Sequence, residues 1–417
     1  MTQATTTSER TALRVVTAIF FMWGFITVLN DVLIPHLKSV FTLGYAQVML
    51  VQFTFFGAYF VMSLPSGKVV ARFGYRISII AGLIVAGIGA LLFFPAARLP
   101  SYPLFLFAFF VLASGITLLQ VAANPYVSLL GPPQLASSRL NLAQALNSLG
   151  TTLAPKFGGL MILSVAVLGA NELAKLPAAQ QLAYKVQQAQ MVQLPYLGLA
   201  AVLFALAAVV WMFHLPPLAA MEGDADDAHH RFADALAQRR VWLGMLAIFL
   251  YVGAEVSIGS FMINYLSLPQ IGDMTQARAS GFVSLYWGGA MVGRFVGSAL
   301  LVRVDPRRLL AVFAAVAGAL VLTTMLGHGD VALWSVVAIG LFNSVMFPNI
   351  FTLGIEKFGA LTGKVSSLLV MAIVGGAVVP LLQGALADRI GVQQAFVLPL
   401  LCYAYVVYYG LRGSRIG

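Results

Sequence analysis

Across 417 residues, 60% of the side chains are hydrophobic and only 9% are charged, with a mean hydropathy of +0.92, whereas soluble domains carry roughly 25% charged residues, so a soluble globule is excluded. The net charge of +10 comes from Lys and Arg scattered singly between apolar runs, which argues against a nucleic-acid surface. The single cysteine, Cys402, has no disulfide mate and no metal-ligand spacing around it.

A transmembrane helix needs about 20 mostly apolar residues. In chain order, runs that qualify lie near 12–41, 45–66, 77–97, 102–129, 137–165 and 191–215, then near 241–267, 278–301, 308–328, 331–354, 362–387 and 392–411. The first is too long for a signal segment and lacks an early small-x-small cleavage site, so it is kept as helix one. The tightest division falls between helices nine and ten, where Gly327, His328, Gly329 and Asp330 make a very short turn. The pattern predicts an all-α membrane protein of twelve transmembrane helices.

Orientation follows from the positive residues, which concentrate on the cytoplasmic side of short loops. With the N-terminus inside, sixteen of the 24 Lys and Arg fall in cytoplasmic segments and six on the other side, while Lys156 and Arg294 lie within helices. This predicts a multi-pass protein of the cell inner membrane with both termini cytoplasmic. The longest polar segment, Glu222 to Arg240, is inward-facing and halves the chain. The expected organisation is therefore a six-helix bundle over 1–215, a cytoplasmic linker over 216–240 and a second bundle over 241–417.

The halves repeat each other. Gly57, Gly67 and Arg72 recur at the same offsets as Gly288, Ser298 and Arg303; Pro125, Gly131, Pro155 and Gly159 recur as Pro348, Gly354, Pro380 and Gly384 with one two-residue insertion. Repeated halves are common in transporters, and the offsets predict two pseudo-symmetric bundles.

The segment GKVVARFGYR, Gly67 to Arg76, resembles the loop signature between helices two and three of the major facilitator superfamily, with Ala71 where that signature usually has an aspartate; GALADRIG, Gly384 to Gly391, echoes it. LNDVLIPHLK from Leu29, LQVAANPYVSLLGP from Leu119 and SRLNLAQALNSLG from Ser138 resemble the fucose, glucose and galactose permease branch, and YVGAEVSIGSF from Tyr251 is most similar to its glucose/galactose side. The resemblance implies a secondary active transporter that imports a hexose-type sugar (glucose, galactose, mannose, fucose or N-acetylglucosamine) by alternating access. The coupling ion would be a proton or sodium, with no other cofactor, no metal and no enzymatic activity. A monomer in the lipid bilayer is expected. An amphiphile or drug exporter would share the fold, but should show fewer amides on helices four and five.

The residues themselves point the same way, because an ionisable group inside a bilayer is costly. Asp31 continues a one-face stripe of Gly24, Thr27 and Pro35; it reads as a proton-exchanging carboxylate, the role that the resemblance implies for helix one, or as a structural cap. Lys156 falls at a similar fraction of helix five and is expected either to pair with Asp31 in one state of the cycle or to reach outward to water. Glu255 lies opposite the Gly253, Ser257, Ser260 and Asn264 face of helix seven, so the two faces could line one cavity only if the helix broke near Gly259. It is a candidate for ion coupling or for a structural pair. Arg294 is expected to be structural, its head directed towards the inner side.

Amides suit sugar hydroxyls because each offers donors and an acceptor. Gln120 and Asn124 share one face of helix four with Thr117 and Ser128, and Gln144 and Asn147 belong to the polar run on helix five. The resemblance implies a sugar contact for Asn147, and it shows Gln120 standing where the fucose-carrying members have a glutamate. In the second half, Trp287, Asn343 and Asn349 are candidates for stacking and hydroxyl contacts, with ordinary packing as the alternative.

Overall fold

The computed structural model describes residues 7–41, 50–161, 176–213, 232–274 and 276–415; within its helices the side chains of some residues, among them Asp31 and Lys156, lie outside what it describes. A chain this apolar must satisfy its backbone within each crossing, because hydrocarbon offers no hydrogen-bond partners. The described residues are accordingly helical.

The first half comprises α1 (Thr7–Val40), α2 and α3 (together Leu50–Arg98), α4 (Tyr102–Leu129), α5 (Ala136–Met161) and α6 (Gln193–Met212). The second comprises α7 (Arg239–Leu266), α8 (Gln276–Leu300), α9 (Pro306–Leu326), α10 (Gly329–Asn343 then Met346–Ile355), α11 (Thr362–Met371 then Gly375–Ile390) and α12 (Val397–Tyr408, running on to Gly413). Twelve crossings result, as the hydropathy pattern predicts, with most boundaries within a few residues of those read from the sequence, although α2 runs on past the predicted 66 to Gly74. α2 and α3 part at Gly74, whose φ of 73° is a conformation that costs glycine little. The turn between α9 and α10 is held by its neighbours: Gln393 donates to the Gly327 carbonyl at 2.9 Å, and the Gly329 amide donates to Gln270 O at 2.9 Å.

The duplication seen in the sequence recurs in the packing. Gly150 of α5 lies so close to α1 that a Cβ there would sit 2.2 Å from the Phe21 carbonyl oxygen. Gly375 of α11 lies in the same way against α7, 2.0 Å from Phe249 O. Gly150 and Gly375 each stand five residues before the repeated prolines, Pro155 and Pro380. A side chain at either would force the paired helices apart, so both positions require glycine.

Two seams join the halves, α2 against α11 and α5 against α8. On the first, the Ser63 hydroxyl donates to Ser367 O, and Gly67 packs on the Ser367 side chain. On the second, Ser138 and Ser298 exchange hydroxyl-to-carbonyl bonds of 2.7 and 2.9 Å, and Asn141 donates to Asn349 Oδ1 at 3.1 Å. Ser137 and Thr352 hydroxyls lie 2.6 Å apart, and Ser366 reaches the Val121 carbonyl of α4 at 3.1 Å. The residues of these bonds cluster towards the helix ends that the Lys and Arg count assigns to the cytoplasm. Towards the other side the bonds between halves stop, among the described residues, at Thr152 and Met291, 3.8 Å apart. Ser260 and Asn264 on the outer half of α7 are exposed. Among the described residues, the bonds between the halves are therefore concentrated at one end.

The second half carries its own charge network at the same end. Glu356 at the end of α10 pairs with Arg240 of α7 at 3.0 Å and also with Arg307 of α9, tying three helix ends together.

Candidate functional site

The polar stripes predicted on α4 and α5 turn inward. Gln120 is buried, its Nε2 donating to the Tyr59 hydroxyl of α2 at 2.7 Å, while its Oε1 is buried without a partner. Asn124, one turn further along α4, is fully buried with neither amide atom bonded. Gln144 lies three residues after Asn141 and four before Ser148, both of which bond to the second half, so helix geometry turns it towards that half too. Its Nε2 is likewise buried without a partner. Asn147 packs against Gly24 and donates Nδ2 to the Phe20 carbonyl at 2.9 Å.

Leaving a buried amide unbonded costs about 1–3 kcal/mol per group. The three amides Gln120, Asn124 and Gln144 therefore form a set of donors and acceptors held ready on two neighbouring helices. At 1.5 Å per residue, Gln120 and Gln144 stand roughly 12 to 14 Å from the inner ends of their helices, at matching depth. A hydroxyl-rich solute, each hydroxyl both donor and acceptor, is the complement of such a set.

The candidates of the second half sit differently. Asn343 is the centre of a tyrosine knot: its Nδ2 donates to Tyr286 at 2.6 Å, its Oδ1 accepts from Tyr403 at 2.6 Å and its main-chain carbonyl accepts from Tyr251 at 2.9 Å. With every polar group engaged, it works as packing in this state. Asn349 is taken up by the inner seam through Asn141, with a second bond to Pro306 O at 3.4 Å. Trp287 is half-buried, edge-on to Tyr286 and close to Gly259 of α7.

No break occurs near Gly259, since α7 is continuous from Arg239 to Leu266. The two faces of the helix consequently serve different neighbours. Gly253 packs on Val379 and Gly375 of α11, while Glu255 turns to α8, where its Oε1 is 4.0 Å from Nη2 of Arg294. Arg294 does not reach towards the inner side, as its sequence position suggests. Its guanidinium is buried, donating to the Ser148 hydroxyl across the seam and, through Nε, to Ser344 O at 3.2 Å. The remaining coupling candidates, Asp31 and Lys156, have side chains outside the described residues, and their predicted pairing falls there with them.

Sequence reasoning passed over Tyr59, the anchor of Gln120, because it lies in an unbroken apolar run. It also passed over Gln383 of α11, fully buried with both amide atoms unbonded, although the rule that singles out Gln120, a lone amide in an apolar span, finds it equally well.

Two six-helix halves, bonded to each other at one end and carrying a buried set of unbonded amides, define a multi-pass membrane transporter. The chain belongs to the Major Facilitator Superfamily, which it matches over residues 15–379. It is 51% identical to a glucose/galactose transporter of Brucella abortus, over 97% of this chain and 94% of that one. It is 42% identical to a putative glucose/galactose transporter of Helicobacter pylori, over 98% of each, and 36% identical to the L-fucose-proton symporter of Escherichia coli, over 95% and 92%. The crystal structure of the transporter FucP in an outward conformation superposes with a TM-score of 0.90 at 33% identity, over 98% of this chain and all of that one.

Proposed function

We propose that this chain imports a hexose of the glucose and galactose type by alternating access, coupled to a proton or a sodium ion. The observation that supports the reading is the set of buried, unbonded amide atoms on Gln120, Asn124 and Gln144, carried by two helices that also bond to the second half through Val121 and Asn141. Asn147 and Trp287 add an acceptor and a stacking face. Asn343 and Asn349 join the site only in a state that frees them from the tyrosines and the seam. The resemblance to glucose/galactose transporters, stronger than to the fucose symporter, supports the choice of sugar.

In this reading the protein works as a monomer in the inner membrane, with both termini cytoplasmic and no nucleic-acid partner. The moving bodies are 1–215 and 241–417, joined by the linker 216–240. The end at which the halves bond is then the cytoplasmic end. Coupling runs through carboxylates: Asp31 and Glu255 take up the cation on one side and release it on the other, and Lys156 serves as counter-charge to Asp31.

Uptake into proteoliposomes, run over a panel of hexoses with pH and sodium gradients imposed separately, tests the proposal. Glucose or galactose is expected to accumulate under one gradient and not under the other. Equal uptake with and without either gradient would remove the coupling.

A further inference from the structure

A buried arginine keeps its proton and must find acceptors for its five donors. Arg294 finds them on both sides of the α5/α8 seam. Nη1 bonds to Ser148 of the first half, Nε bonds to Ser344 O of its own half, and Nη2 points at Glu255 without closing on it. At 4.0 Å the last contact exceeds a hydrogen bond, and Glu255 Oε1 is buried with no hydrogen-bond partner at all. The pair is left half-made, and one of the two acceptors that hold the guanidinium, Ser148, belongs to the other half of the molecule.

We propose that Arg294 is a moving counter-ion that couples the α5/α8 seam to Glu255. While the seam is closed, Ser148 holds the guanidinium away and leaves the carboxylate to the coupling cation. When the inner ends part, Ser148 leaves with α5, and Nη1 loses its acceptor. On its own half the guanidinium already points at Oε1 of Glu255, which has no bond although Tyr251 hydrogen-bonds the same carboxyl group, and it reaches that oxygen by moving about 1 Å, the gap between the present contact and a charge-assisted hydrogen bond. The cation and the arginine thus compete for one carboxylate, and the state of the seam decides which holds it. Other groups near Glu255 are the phenols of Tyr251 on its own helix, Tyr286 of α8, which donates to the Glu255 carbonyl at 3.2 Å, and Tyr403 of α12. None of these carries a fixed positive charge, so among the described residues Arg294 is the cation that competes.

The inference rests on the alternating-access reading, and its test is separable from it because it needs neither sugar nor ion gradient. Thr352, buried in the inner seam against Ser137, becomes reachable only when that seam parts. In a Cys402→Ala background, the alkylation rate of Thr352→Cys measures the fraction of time the seam is open. Ser148→Ala removes the closed-state partner of Arg294 and is expected to raise that rate by about tenfold, the weight of one hydrogen bond to a charged group. Glu255→Gln removes the open-state partner and is expected to lower it. Opposite signs are the signature, since an ion pair with a purely structural role gives none. Unchanged rates, or shifts in the same direction, would overturn the proposal. Should Glu255→Gln not fold, the Ser148→Ala arm decides alone: a rise supports the moving counter-ion, and no change refutes it.

Discussion

Oxidation of a Ser138→Cys, Ser298→Cys pair in the Cys402→Ala background is expected to reduce transport to the level of empty liposomes, and reduction is expected to restore it. The two hydroxyl oxygens lie 3.3 Å apart across the α5/α8 seam, a separation compatible with the Cβ spacing of about 3.5–4.5 Å that a disulfide needs. The cross-link would weld the inner ends in the arrangement described, which the alternating-access account requires to part once per cycle. The effect is all or none because a covalent bond does not yield to thermal rocking of two rigid bodies. Uptake of a labelled hexose before oxidation, after it and after thiol addition measures this. A cross-linked carrier that transports at its normal rate would mean that the inner seam is not a gate.

Gln120→Leu is expected to produce the second large change, a rise in the KM for sugar of about a hundredfold or more, the discrimination seen when a polar partner of a substrate hydroxyl is lost. Leucine is close to glutamine in size, so the substitution keeps the packing between α4 and α2 while deleting the donor to Tyr59 and the unbonded Oε1. Folding should suffer little, because the buried Tyr59 hydroxyl keeps Trp23 as a hydrogen-bond partner while the cost of the unbonded Oε1 is removed. The two read-outs therefore separate: KM rises, and the thermal unfolding midpoint in detergent holds. A fall in the midpoint with KM unchanged would assign Gln120 to packing instead.

The twelve crossings were legible in the sequence because membrane hydrocarbon imposes one rule on every span, and the runs from Tyr102 to Leu129 or from Pro306 to Leu326 obey it plainly. The pseudo-symmetry was legible for a similar reason. Glycine and proline mark backbone geometry, and Gly150 and Gly375 keep their places against α1 and α7 whatever surrounds them. The one-face stripes on α4 and α5 followed from the helical repeat.

What periodicity does not give is the neighbour. It turned Gln120 inward without finding Tyr59, and it set Glu255 opposite Gly253 without naming Arg294, because those partners come from other helices whose rotation no single-helix pattern records. Asn343 shows the limit most clearly. A lone asparagine in an apolar span reads as a ligand, yet three tyrosines from α7, α8 and α12 converge on it. The conformational state was likewise out of reach, since it depends on which ends of the same helices happen to touch.

Exchange without any ion gradient tests the central claim most directly, because it demands only a sugar site that opens to each side in turn. Proteoliposomes loaded with unlabelled glucose or galactose and diluted into a trace of the labelled sugar should show a transient overshoot of label inside, decaying as the internal pool leaves. Folded, reconstituted protein that gives no overshoot with any hexose would contradict the account.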